Sequence, residues 1–229
     1  MRTPPLRQPD GSKLGAAIFA AILGLAATWL LLVELVRPTW PRLPIDESPA
    51  KAAVAPAGVA AIAAWVGLIR GSLWADYAEA LAPNLSAAST GWESPARLAA
   101  LNRARGAAVR AVELAPHESR AWLLIAAVDV FDSQRNVAGP LKMSYYTGPN
   151  ELSLIPLRIA TTMRSAAIAE PEVQVLAAGE IRTIITHKPD LKRFLIAAYR
   201  NALPQGKRFI EGQVSELDPA LLTSLRGTN

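Results

Sequence analysis

The sequence predicts an all-α protein, on three observations. Alanine and leucine carry most of a 51% hydrophobic content while aromatics contribute only 6%, which is helix-forming material. Apolar residues recur at spacings of three and four along most of the chain, the stripe of a helix with one covered face. No segment alternates with period two for long enough to make a strand. The organisation expected is an N-terminal tail over residues 1–13, a transmembrane helix over 14–36, a proline-rich linker over 37–56 and a helical domain over 57–229.

The first element is the segment LGAAIFAAILGLAATWLLLVELV, whose one charge is Glu34 in the last turn. As a helix it is about 35 Å long, enough for a hydrocarbon core of about 30 Å. A cleavable signal peptide has a shorter apolar run and a small-x-small cleavage site, which does not follow here. Glu34 reaches the headgroups by snorkelling. Arg2, Arg7 and Lys13 precede the span and Arg37, Arg42 and Lys51 follow it, so the positive-inside comparison is nearly balanced; the expectation is a short tail inside and the domain outside, as for a single N-terminal anchor. Prolines at 38, 41, 44, 49 and 56 then make a semi-rigid spacer, with Trp40 at headgroup level. Residues 52–69 are apolar again, but Pro56 and Gly58 shorten the usable helix. The stripe Val59, Ile62, Val66, Ile69 and Leu73 predicts a helix packed on one side in place of a second span.

From there helices alternate with breaks. Residues 57–82 read as one helix and 85–95 as a loop. Pro95 opens a helix to Leu114 with Leu98, Leu101, Arg105, Ala108 and Val112 on one face. Pro116, which lacks an amide proton and clashes with the preceding turn, enforces a break. Ser119 is expected to cap the next helix, carrying Trp122, Ile125, Ala126 and Val130. Residues 133–149 read as a loop, after which Asn150 caps a helix with the stripe Leu152, Ile155, Ile159 and Met163, and Pro156 either kinks that helix or marks its beginning. Pro171 starts a helix with Val173, Leu176, Ala177, Ile181 and Ile184 inward. Asp190 caps one with Leu191, Phe194, Leu195, Ala198 and Tyr199. Phe209, Ile210, Val214 and Leu217 mark another, and Asp218 and Pro219 open the last.

Each helix alone is too short to cover its apolar face, so stacking on neighbours is required. Ala104, Ala108, Ala111, Leu114 and Pro116 have the spacing of a second repeat helix with its terminating proline, Trp122 stands where a further unit begins, and LWADYAEAL around Trp74 and Tyr77 supplies a preceding first helix. Over residues 57–133, about one and a half units, the chain resembles the tetratricopeptide repeat (TPR) family. It departs from that pattern at Asp129 and Ala108, where aromatics are usual, and no further unit aligns beyond Phe131. The resemblance implies a concave protein-binding surface and no catalysis; a generic helical bundle is the alternative.

The chain contains no cysteine, which excludes disulfides, thiolate catalysis and sulfur-ligated zinc. No glycine-rich phosphate loop or G-x-S-x-G elbow occurs. His117 and His187 sit alone at helix ends, and Glu170 and Glu172 flank Pro171 where a helix dipole favours them. No cofactor and no metal are expected. Twenty-four basic against nineteen acidic residues give a net charge of +5, suited to anionic lipid or polymer but too diffuse to indicate nucleic acid. Two stretches are candidate binding sites. One is SYYTGPNE, offering Tyr145, Tyr146, Asn150 and Glu151 to a peptide or saccharide; its alternative reading is tyrosines over the core and a capping asparagine. The other is the basic interval 188–208 with Lys192, Arg193 and Arg200, for lipid headgroups, an anionic polymer or an acidic partner.

The function expected is that of a non-catalytic scaffold or assembly protein. It is single-pass in the inner membrane of a bacterial-type envelope, with its domain in the periplasm, and binds a protein partner in a complex that handles cell-surface polysaccharide. The second reading is an accessory subunit that binds an anionic polysaccharide or lipid directly. A DNA-associated regulator would require the reverse topology.

Overall fold

A computed structural model describes residues 11–36, 57–67, 69–82, 94–132 and 134–227. The tail through Asp10, the proline-rich linker with Trp40 and most of the loop over 85–95 lie outside the described residues. Those described form eleven α-helices joined by turns and short 3-10 segments, with no strand among them.

Helix α1, Gly11–Val36, is continuous, and its stretch Ser12–Leu32 is long and apolar enough to cross a membrane, with no residue fully buried and Trp29 alone among those described partly covered by the rest of the protein. The single helix expected over 57–82 is instead two, α2 (Ala57–Val66) and α3 (Gly71–Leu81). Leu73 folds back over Gly67, whose missing Cβ makes room for it, and the amide of Arg70 closes the turn onto the carbonyl of Gly67 at 2.8 Å. A Cβ on Gly71 would lie 2.6 Å from the carbonyl oxygen of Ala111, so the break lets the start of α3 butt against the end of the next helix. The stripe is also corrected. Ala60, Ala63 and Ala64 face the protein, whereas Val59, Ile62 and Ile69 point away from it.

Helices α3, α4 (Pro95–Leu114), α5 (Ser119–Asp129) and α6 (Ala138–Thr147) run antiparallel in sequence. The start of α3 meets the end of α4, Arg105 in mid-α4 reaches Asp129 at the end of α5, and Gly148 after α6 sits against Ser119 at the start of α5. Alanine makes such close seams affordable in volume: twelve of the 23 residues in this core are alanine. Pro116 separates α4 from α5 as expected, and its carbonyl accepts from Trp122 Nε1 at 2.7 Å. Ser119 is the first helical residue of α5, not a cap. α6 occupies what reads as a loop. Asn136 Oδ1 accepts from the amides of Ala138 and Gly139, and Pro140 falls in the first turn, where a missing amide proton costs nothing.

The remaining helices gather around α7 (Ile155–Met163), in which every residue but Pro156 is buried. Pro156 marks the beginning of that helix and kinks nothing. Asn150 does not cap it: Glu151 precedes a 3-10 turn over Leu152–Leu154, without a side-chain bond, and α7 follows. Helices α8 (Pro171–Thr186), α9 (Lys192–Arg200), α10 (Pro204–Leu217) and α11 (Pro219–Arg226) complete the domain. Their core is built from large aliphatics, including Ile159, Met163, Ile181, Ile184, Leu195, Ile210 and Leu225. Asp218 caps α11 by accepting from Leu221 N at 3.1 Å, as expected. Asp190 is exposed within a 3-10 turn and caps nothing.

Candidate functional site

The stretch containing Tyr145 and Tyr146 lies on α6, and the helix sends the two rings opposite ways. Leu141, Ser144, Tyr145 and Gly148 recur at three and four and face inward; Lys142 and Tyr146 face outward. Tyr145 is 4% exposed, so no ligand reaches it. Its hydroxyl donates to Glu180 Oε2 at 3.0 Å, and Arg158 of α7 reaches Glu180 Oε1 at 3.2 Å. Arg158 also donates to Ser144 Oγ at 3.0 Å, to the carbonyl of Ser144, and to that of Gly148 at 2.9 Å, with its guanidinium 4.7 Å over the Tyr145 ring. This cluster bolts α6, α7 and α8 together. Burial pushes the Glu180 carboxyl up to about 7, against the pull of Arg158.

Tyr146 is 53% exposed yet fixed. Its hydroxyl donates to Glu172, and Lys142 Nζ bridges Glu170 and Glu172 at 3.0 and 3.1 Å. The hydrogen bond from Tyr146, followed by that from Lys142, holds the Glu172 carboxyl below the usual carboxylate range. Glu170 and Glu172 therefore tie α8 to α6; neither caps α8 by side-chain hydrogen bonding. The result is an aromatic ring offered to solvent from a polar frame that prevents it from collapsing. Asn150 and Glu151 are exposed just beyond the end of α6, and Val175 on α8 is 73% exposed.

The basic interval divides. Lys192 is committed to Asp218 Oδ2 at 2.8 Å. Arg193 lies with its guanidinium 4.8 Å over Phe194, and Arg200 is exposed in the last turn of α9. Seven residues apart, Arg193 and Arg200 share a helix face. The structure does not gather all seven candidates at one place, since α6 packs on α5 and α8 whereas α9 packs on α7 and α8.

Two ionic ties escape sequence reasoning. Arg120, 5% exposed, joins α5 to α3 through Asp76 at 2.6 Å and Glu79 at 3.0 Å, with Glu118 at 3.5 Å. Burial disfavours its charge, but Glu79, Asp76 and Glu118 more than offset that and hold its pKa above the ordinary value. Asp129, which departs from the repeat pattern, accepts a bidentate pair from Arg105 at 2.6 and 3.3 Å and a further bond from Arg135 at 3.1 Å. The signal that could have found them is opposite charge at inward positions of neighbouring helices.

Among the described residues no group of three His, Cys, Asp or Glu side chains is placed to hold a metal ion. Ten of the eleven residues of α5 are buried, so the groove expected of a curved array is not open over that helix. A shallow hollow of about 210 Å³ lies between α3 and α4, lined by Leu81, Ala82, Arg97, Ala100 and Leu101. No protein-family model, curated protein or solved structure matches the chain.

Proposed function

We propose that this protein is a membrane-anchored, TPR-like adaptor that docks a protein partner in a bacterial cell envelope through the Tyr146 face of α6 and α8. One observation carries the reading: Tyr146 is half-exposed and locked by Glu172 and Lys142. A rigid, amphipathic ring binds with little loss of conformational freedom, which is why tyrosine is prominent at interface hot spots. The apolar side chain of Val175 on α8 and the polar rim of Asn150 and Glu151 suit a protein surface. The role is non-catalytic. Helix α1 serves as a single span of the inner membrane with the domain in the periplasm, and the complex served is one that assembles or exports polysaccharide.

A photo-crosslinking residue in place of Tyr146, compared in cells with one in place of Gly106 on the exposed side of α4, tests the docking face. A discrete protein adduct at 146 alone is expected; adducts at neither position, or equally at both, sink the assignment. A reporter fused after Asn229 and active only outside the cytoplasm checks the topology. The second reading, direct binding of an anionic polysaccharide or lipid, rests on Arg193 and Arg200 sharing an exposed face of α9. Retention of the wild type on anionic polymer, lost on replacing both arginines, would favour it.

A further inference from the structure

We propose that α2 is a second membrane contact: a short helix lying in the same bilayer as α1, with its outward face of Val59, Ile62 and Trp65, and Ile69 in the turn that follows, against lipid. The proposal rests on the reading of α1 as the membrane span. The sequence of α2, AGVAAIAAWV, contains no charged side chain, and its one polar side-chain atom is the indole nitrogen of Trp65. Its inward side is already covered, as Ala60, Ala63 and Ala64 are at most 2% exposed, and Ala63 and Ala64 pack with Leu73. Its outward side is the opposite of a water-facing surface, with Val59 42%, Ile62 59% and Trp65 65% exposed, and Ile69 in the following turn is 68% exposed. A helix that is apolar on both sides needs a second apolar medium.

The depth of that face is fixed by α1. Trp29, three residues inside the end of the Ser12–Leu32 stretch, donates from Nε1 to the carbonyl of Val66 at 3.1 Å and packs on the Ala63, Ala64 and Leu73 cluster. Five residues further on, Glu34 receives Arg70 Nη1 at 3.0 Å. The last turn of α2 therefore stands level with residues of α1 that would lie in hydrocarbon, and the Glu34–Arg70 pair stands where chain and headgroups meet. Trp65 on the outward face has the amphipathic ring favoured at that boundary. At ten residues α2 is about 15 Å long and does not cross; it is an interfacial helix, of the kind that sinks its apolar side into the boundary between headgroups and acyl chains. The contact would set the tilt of the domain against the membrane, because α3 follows α2 after a four-residue turn.

The absence of native cysteine allows a direct test. Single variants Val59→Cys, Ile62→Cys and Ile69→Cys, with Leu23→Cys on α1 and Gly106→Cys on α4 as references, carry a nitroxide label in the full chain reconstituted in phosphatidylethanolamine and phosphatidylglycerol vesicles. Relaxation by oxygen, which concentrates in lipid, is compared with relaxation by a water-soluble nickel chelate. The expected result is an oxygen preference at 59, 62 and 69 resembling that at 23, and a nickel preference several-fold greater at 106. Nickel preference at 59, 62 and 69 with oxygen preference at 23 overturns the lipid contact and leaves the span intact. Nickel preference at 23 as well overturns both. Protection from both reagents at 59, 62 and 69 assigns the face to a protein neighbour and overturns the proposal.

Discussion

The stack α3–α6 and the cluster α7–α11 solve the same packing problem with different side chains. The core around the stack, to which Leu154, Leu157, Ala167 and Val173 are added from beyond α6, is alanine at twelve of 23 positions, whereas the second core holds two alanines and six isoleucines among its fifteen. Alanine buries little apolar area, and area is what the hydrophobic effect rewards. The stack gains close backbone approach in exchange, and its relative helix positions are fixed by charge: Arg120 across α3 and α5, and Arg105 and Arg135 on Asp129. The cluster draws on bulk, and its close approach is a backbone affair, with the amide of Leu203 on the carbonyl of Met163 at 2.9 Å and Gly206 pressed on the same residue. Where apolar payload is small, ion pairs specify the arrangement; where it is large, shape does.

The seam between the regions is the place where breakage costs most. Arg158 is fully buried and bonded to α6 and α8. Arg158→Ala removes the one cation facing buried Glu180, which keeps only the Tyr145 hydroxyl as donor, and is expected to destabilise by about 3–5 kcal/mol, read by chemical denaturation in detergent. Removing bulk separates the regions: Ile181→Ala in the second core should cost about 2–5 kcal/mol. Adding bulk acts on the other region, and Ala108→Leu, at a fully buried alanine of the stack, should cost about 1–3 kcal/mol. A result in which Ala108→Leu is neutral would remove the claim that the stack depends on close approach.

Glu180 supplies a pH test. Its folded pKa of about 7 lies above the ordinary 4.5, so the folded state holds the proton more tightly than the unfolded chain. The resulting stabilisation is complete below about pH 4.5 and is lost as pH rises through 7. Between pH 5 and 8 the denaturation midpoint should fall, by on the order of 1–3 kcal/mol in stability, and Glu180→Gln should flatten the slope. The smallest effect belongs to the hinge of the stack. Trp122→Phe removes one partly exposed hydrogen bond to Pro116 and should cost about 1 kcal/mol, with no change in the response of the cluster to Ile181→Ala.

The elements legible in the sequence were those with large side chains on one face. Helices α4, α8 and α11 begin at their prolines because proline is welcome in a first turn, and Val173, Ala177, Ile181 and Ile184 of α8 all face inward, whereas Leu98 of the stripe read on α4 is exposed. Reading by size failed where the covered face is small or polar. In α2 the eye falls on Val59 and Ile62 while the protein is met by Ala60, Ala63 and Ala64. In α6 the inner face sets only Ala138 and Leu141 beside Ser144 and Tyr145, and with Gly148 just beyond the helix it suits a buried guanidinium more than an apolar neighbour. The candidate site was legible as residue types only. Tyr145 and Tyr146 are adjacent and chemically alike, and only a helix at that place decides that one is buried beside Glu180 and the other faces solvent. Lys192 reads as a solvent-facing cation in the sequence, and Asp218, 26 residues later, comes back to meet it.

The sheathing of α5 has a consequence for synthesis. Ten of its eleven residues are covered, and its covers include α6 and α7, which leave the ribosome after it. Until Met163 has emerged, a greasy cylinder of Leu123, Leu124, Ile125 and Val128 stands only half-wrapped in the nascent chain, a species prone to aggregate.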